Sequence, residues 1–391
     1  MSSLAKSIAS RLSRKTSSNY FLPEVDGFRF YAIFTVLLYH LNTHLSRSVN
    51  SLVDQDYFES SYTYAAMLQG GIGVNVFFAI SGFILALPFA RQRLQLASPV
   101  NLKGYYLRRL TRLEPPYLIS LILLLIVHLL FLKESIIEIF PNFLASVFYV
   151  HNIVYDQWSK INPVAWSLEV EVQFYIIAPF LAALFSISNT TLRRLTMVLL
   201  IIGGMVHYNL NYEMIETLHL RKSIFMHLHQ FLVGFLFADI FLSDWNEKPG
   251  KKSFWYDILG VGVMTSLLIF NEPFYFMEDL IFGVCLFLSF ICLFRGKLIN
   301  RFFTSRWIVV IGGMCYSIYL LHYALIAFLT SFSAHLFSKD MGYGANFAIQ
   351  FILVIPVVLI VSAVYFVLIE RPCMDKTWPS RFLVWIKGSG V

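Results

Sequence analysis

The chain has 391 residues, of which 58% are hydrophobic and 14% charged, and it includes 38 Phe and 21 Tyr. An ordinary soluble protein carries about 45–50% apolar and 25% charged residues, so this composition excludes a water-soluble globular domain and makes lipid the expected solvent. The net charge of +7 comes with no zinc-finger spacing and no basic-aromatic motif, so no nucleic-acid partner is expected; basic residues gathered on cytoplasmic loops account for its sign.

Residues 1–20 are Ser-rich, basic and free of Asp and Glu. No cleavable apolar region precedes the first hydrophobic stretch, so a secretory signal is not expected; the segment suits either an organelle transit peptide or a basic cytoplasmic tail, and the tail, the simpler of the two, is the reading taken. Ten segments are then expected to cross a membrane as helices: 28–45, 70–90, 115–132, 163–185, 195–209, 224–242, 254–270, 279–294, 307–330 and 346–369. The stretch 139–150 is apolar but too short to cross, and reads as an interfacial or re-entrant helix. The predicted fold class is therefore an all-α integral membrane protein. It has one transmembrane domain over 21–372 and a short cytoplasmic tail over 373–391.

Counting Lys and Arg in alternate loops gives the orientation. The two tails and loops 91–114, 186–194, 243–253 and 295–306 hold 23 basic residues, and the other five loops hold 6. That asymmetry places both termini in the cytoplasm and supports an even number of crossings. The plasma (cytoplasmic) membrane is the expected location.

Ionisable residues inside a span are costly and so mark sites. The first span carries Arg29 and His40, eleven residues apart, which projects them from one face about 16 Å apart along the axis. The bland alternative is a snorkelling arginine and a hydrogen-bonded core histidine. The second span, Gly73-Val74-Asn75-Val76-Phe77-Phe78-Ala79-Ile80-Ser81-Gly82-Phe83, contains small residues that favour close helix contact; Ser81 is also weighed there as a polar or nucleophilic group. Loop 91–114 contains Arg108-Arg109-Leu110-Thr111-Arg112, dense enough to expect a phosphate-bearing ligand. The fourth span opens Trp166-Ser167-Leu168-Glu169-Val170-Glu171. Running inward from the outer boundary, it is expected to bring Glu171 to the depth of His40, where a carboxylate would orient the imidazole as a base.

No metal site is expected. His227 and His229 are two apart on a helix and face different ways, while His44, His128, His151, His207, His219 and His335 read as interfacial or loop residues. Cys285, Cys292, Cys315 and Cys373 read as small apolar residues rather than a disulfide framework.

Several of these runs, taken in order, resemble the acyltransferase-3 family. They are Asp26-Gly27-Phe28-Arg29 with His40, the Gly73–Phe83 run, Leu107–Arg112 with Pro115-Pro116-Tyr117, and Trp166-Ser167-Leu168 through Glu171 to Phe174-Tyr175. Tyr316-Ser317-Ile318-Tyr319-Leu320-Leu321-His322 and Ile369-Glu370-Arg371-Pro372 follow more loosely. The chain departs from the family's usual residues at Phe30, Asn75 and Val172.

The resemblance implies a ten-helix core that moves acyl groups, often acetyl, from cytoplasmic acyl-CoA to hydroxyls, mostly on surface glycans. It puts the catalytic requirement on Arg29 and His40. Because the chain stops soon after the last span, it reads as the stand-alone type without a fused hydrolase-like domain. The expected site therefore has His40 as general base with Glu171 orienting it. Arg29, Arg108, Arg109 and Arg112 are expected to bind the acyl-CoA, and Ser81, Trp166, Tyr319 and His322 to contact substrate. Expected partners are acyl-CoA, a glycan or other hydroxyl-bearing acceptor, and membrane lipid. The alternative function class is a proton-coupled transporter using an intramembrane His/Glu pair.

Overall fold

Three of the principal helices begin at a proline or a capping side chain. Pro23 opens α1 (Pro23–Val49), where its fixed φ suits a first helical turn. Asn101 caps α3 (Leu102–Leu130), its side-chain oxygen accepting from the Gly104 N–H at 3.0 Å. Asn189 does the same for α6 (Thr190–Asn211) through Leu192 N–H, also at 3.0 Å. The structure, a computed structural model, describes residues 9–15, 21–212, 214–270, 275–375 and 377–379. Most of the expected tail at 373–391, and residues 1–8 and 16–20 of the N-terminal one, lie outside the described residues.

Among the described residues there are helices and no strands. The other principal helices are α2 (Gly73–Arg93), α4 (Ile136–Val147), α5 (Trp166–Leu181), α7 (Ile224–Ser243), α8 (Trp255–Ile269), α9 (Phe276–Arg295), α10 (Arg306–Gly313), α11 (Cys315–Ser333) and α12 (Tyr343–Tyr365). Each of the ten expected segments coincides with helix. Among the described residues seven helical stretches are long and apolar enough to cross a membrane: Tyr62–Arg93, Leu102–Leu130, Pro163–Ser186, Leu218–Ser243, Phe276–Arg295, Cys315–Leu336 and Tyr343–Cys373. The short apolar helix near 139–150 is α4, 12 residues long. The ninth expected segment is two helices, α10 and α11, broken after Gly312-Gly313. Paired glycines weaken the helix there, and Gly312 lies so close to α1 that an added Cβ would stand 1.7 Å from the Asp26 carbonyl.

Large apolar side chains also cover the outside. Ile122, Leu123 and Ile126 on α3 and Ile352, Ile360 and Val364 on α12 are exposed. Contiguous apolar surface of this kind would be a liability in water and is matched to hydrocarbon.

Inside, two apolar clusters share α1. Val25, Phe28 and Ala32 join the cluster formed by α2, α5, α6, α7, α8 and α9, while Ile33, Leu37, Leu41 and Leu45 join that of α3, α4, α11 and α12. The first is tightened where α2 crosses α7: a Cβ on Gly82 would meet the Phe231 carbonyl oxygen at 2.0 Å, and one on Gly234 the Ala79 carbonyl oxygen at 2.1 Å. Backbones this close require glycine at both positions.

The α1–α2 contact fixes the register that matters for the site. Gly70 packs on Thr35 and Tyr39, and Gly73 on Ala32, Thr35 and Val36. The two helices are antiparallel, so Ser81 comes level with the first turns of α1, beside Arg29, and far from His40.

Candidate active site

A cleft of about 950 Å³, part of it open to solvent, lies at the seam between the two halves. Its four basic residues come from three places: Arg14 from the N-terminal segment, Arg29 from α1, and Arg109 and Arg112 from α3. Ser81 of α2, Ser167, Glu171 and Tyr175 of α5, Tyr316 and Tyr319 of α11, and Glu370 complete its polar lining.

These groups are organised by short contacts. Asp26 is fully buried and holds Arg29 through an Nη1–Oδ1 bond of 2.7 Å, with Arg14 Nε 3.3 Å from its other oxygen. Glu370 accepts hydrogen bonds from the Ser317 N–H, at 3.0 Å, and from the Ser317 hydroxyl, so a carboxylate already occupies the first turn of α11. Ser81 donates to Glu171 at 2.6 Å. Arg109 lies over the rings of Tyr105 and Tyr175, 5.8 and 5.7 Å from their centroids. Among the described residues no carboxylate forms an ion pair with Arg109 or Arg112. Two guanidinium groups in a cleft without a paired carboxylate suit an anionic ligand.

The Ser167 and Tyr319 hydroxyls are 3.0 Å apart, and Tyr319 also donates to the Val164 carbonyl. One turn further along α11 is His322, fully buried. Its Nδ1 lies 3.1 Å from the Ile318 carbonyl and 2.8 Å from that of Tyr319. Carbonyls only accept, so Nδ1 carries the proton and Nε2 keeps its lone pair. That Nε2 is buried with no hydrogen-bond partner. The His40 ring packs on His322 with centroids 5.1 Å apart, and on Tyr323 at 5.2 Å.

The expected residues therefore fall into two groups. Arg29, Arg109, Arg112, Ser81, Glu171 and Tyr319 line one cleft. His40 and His322 meet each other outside that lining. Arg108 is exposed and outside the cleft. Trp166 is also outside it, packed on Phe78 and His227 with Lys222 Nζ 4.4 Å from its ring centroid.

The expected depth match of His40 with Glu171 is corrected. Glu171 bonds to Ser81 beside Arg29, and by helix rise it is on the order of 20 Å from His40. The count went wrong at the start of α5. That helix does not begin at an outer boundary: its 3-10 lead-in, Pro163–Ala165, starts inside the bundle, where Val164 meets Tyr319. Glu171, seven residues on, is carried about 10 Å deeper.

Arg14, Ser167, Tyr175, Tyr316 and Glu370 also line the cleft and were not among the residues expected to bind ligand. Arg14 was assigned to a featureless basic tail, and nothing in residues 1–20 signals where it folds back. Glu370 and Tyr316 stand in motifs already noted, but the sequence does not reveal that the α10–α11 break and a π-turn over Phe366–Glu370 turn them inward.

A family model described as an acyltransferase domain matches residues 22–367. The chain is similar to the O-acetyltransferase OatA of Staphylococcus aureus strain COL, 27% identical over 350 residues that cover 82% of this chain and 53% of the relative. OatA of strain MRSA252 gives the same figures. The chain thus spans about half the length of these curated relatives. No solved structure matches it.

Proposed function

The chain belongs to the acyltransferase domain family matched over residues 22–367, and from that premise we propose that it is a membrane O-acyltransferase. It moves an acyl group from cytoplasmic acyl-CoA to a hydroxyl of a surface glycan or related acceptor. The observation that carries this reading is the single cleft in which Arg29, Arg109 and Arg112 converge and whose polar lining runs up to Tyr319, one helical turn below His322 and His40. The relatives' name, O-acetyltransferase, favours acetyl as the group moved.

In this reading all ten helical segments cross the plasma membrane, with both termini cytoplasmic, and the arginines face the donor side. Arg29, Arg109 and Arg112 take the phosphates of CoA, and its pantetheine arm extends past Ser167 and Tyr319. The axial distance of about 16 Å between Arg29 and His40 suits that arm.

His40 removes the proton of the acceptor hydroxyl, and the oxygen attacks the thioester carbonyl carbon. The carbon–sulfur bond breaks, the thiolate leaves and takes up a proton, and the products are an ester and free CoA. His322, whose ring packs on that of His40 with centroids 5.1 Å apart, replaces Glu171 as the group that positions His40. Glu171 instead holds Ser81 at the middle of the donor cleft.

Membranes containing the protein, given acetyl-CoA labelled in the acetyl group, are expected to yield acceptor glycan heavier by one labelled acetyl group, read by mass spectrometry. Acceptor that crosses the membrane without gaining mass would identify a transporter instead.

A further inference from the structure

Residues 9–15 lie outside the region matched by the family model yet are built into the cleft. Ala9 is fully buried. The Ser13 carbonyl accepts from Arg371 Nε at 3.1 Å, and Lys15 pairs with Asp375 at 3.7 Å. These contacts tie the segment to the end of the last helical region, next to Glu370. Between them Arg14 turns inward, lines the cleft, and lies against the α10–α11 break, where an added Gly313 Cβ would contact its side chain at 3.8 Å.

Arg14 is poorly compensated where it sits. It shares Asp26 with Arg29, which makes the tighter contact, and its own Nε is buried without a hydrogen-bond partner. Burial first, and the neighbouring Arg29 second, bring its guanidinium down to about 10. A guanidinium held beside a second one, with a single carboxylate shared between them, gains when an anion enters.

We propose that Arg14 is a phosphate-binding residue of the donor cleft and that residues 9–15 form its rim, closing an anion site with Arg29, Arg109 and Arg112. The ligand class is a phosphorylated nucleotide such as the adenosine bisphosphate end of CoA, so the inference rests on the donor reading above. The phosphate of an anionic lipid headgroup offers the same chemistry at the mouth of a membrane protein.

The test uses the full chain in phosphatidylcholine nanodiscs, with adenosine 3′,5′-bisphosphate as the probe in equilibrium binding. Arg14→Ala is expected to weaken binding about 10- to 100-fold, the loss of one charge-assisted contact, and Arg14→Lys to fall between it and wild type. Acyl transfer from acetyl-CoA by Arg14→Ala should show a raised KM, and the gap between variant and wild type should narrow with acetyl-pantetheine, which lacks the nucleotide. Monodisperse elution of both variants separates lost binding from lost folding.

Equal probe binding by wild type and Arg14→Ala overturns the role of Arg14 and leaves the acyltransferase reading standing. Acylation from acetyl-CoA by a wild type that does not bind the probe overturns the anion site itself. Nanodiscs containing phosphatidylglycerol form the lipid arm: Arg14-dependent loss of probe binding there, with no Arg14 effect in phosphatidylcholine, would assign the residue to a headgroup and overturn the nucleotide proposal. A wild type that neither binds the probe nor acylates removes both readings together.

Discussion

His40→Ala is expected to lower acceptor acylation by about 10²- to 10⁴-fold, the usual contribution of a positioned general base, with normal protein yield. The yield follows from the surroundings. His40 is half-buried, and its side chain makes ring contacts with Tyr39, His322 and Tyr323, so truncation removes packing and breaks no hydrogen bond of the scaffold. The loss belongs in kcat. In the proposed reading the donor phosphates are met about 16 Å away at Arg29, so binding of adenosine 3′,5′-bisphosphate should be the same in the variant and the wild type. Steady-state kinetics beside probe binding checks both halves. A variant with full activity would show that His40 is not the base and would shift attention to His322, whose Nε2 is the neighbouring buried lone pair.

The largest expected effect on stability is at Asp239, far from this chemistry. Asp239 is fully buried on α7 and receives Arg193 Nε at 2.6 Å and Arg194 Nε at 2.7 Å. Arg193 is itself buried and spends its remaining donors on the Ile187 carbonyl, at 2.7 Å, and the Ser243 hydroxyl, at 3.2 Å. Asp239→Ala would leave that guanidinium enclosed without its counter-charge, a change that costs about 3–5 kcal/mol. The neighbouring Asp244, 47% exposed, pairs with Arg194 at 2.6 Å, and its replacement by Ala should cost no more than about 1 kcal/mol because solvent screens that pair. Thermal melting followed by size-exclusion fluorescence should show a large loss for Asp239→Ala and a small one for Asp244→Ala. Equal shifts would mean that burial does not govern the network.

The same residues explain what could be read before folding was considered. Arg193 and Arg194 were counted as loop charges that set orientation, and the structure gives them partners at the start of α6 without changing that count. Helix positions were legible because an apolar stretch long enough to cross hydrocarbon leaves few other conformations. Arg29, Arg109 and Arg112 were legible as a group through motifs, whereas Arg108 of the same run lies outside the cleft and the sequence did not show that Ser81 and Tyr319 share it.

Depth along the bundle was not. It depends on where a helix starts relative to its neighbours, and the lead-in to α5 is set by the Tyr319–Val164 contact between segments 155 residues apart. That contact moved Glu171 from His40 to Ser81. Long-range placement likewise hid Arg14, whose partner Asp26 is on the next element and whose rim contacts, Arg371 and Asp375, are at the far end of the chain.

In the proposed reading donor and acceptor meet from opposite sides, with the arginines facing one compartment and His40 set beyond them. Sealed inside-out membrane vesicles, which present their cytoplasmic face to the medium, test it directly. With labelled acetyl-CoA added outside, the expected result is labelled glycan within the vesicles for wild type and none above background for His40→Ala. Label from right-side-out vesicles treated the same way, at a rate equal to that of inside-out ones, would contradict the cytoplasmic placement of the arginine cleft.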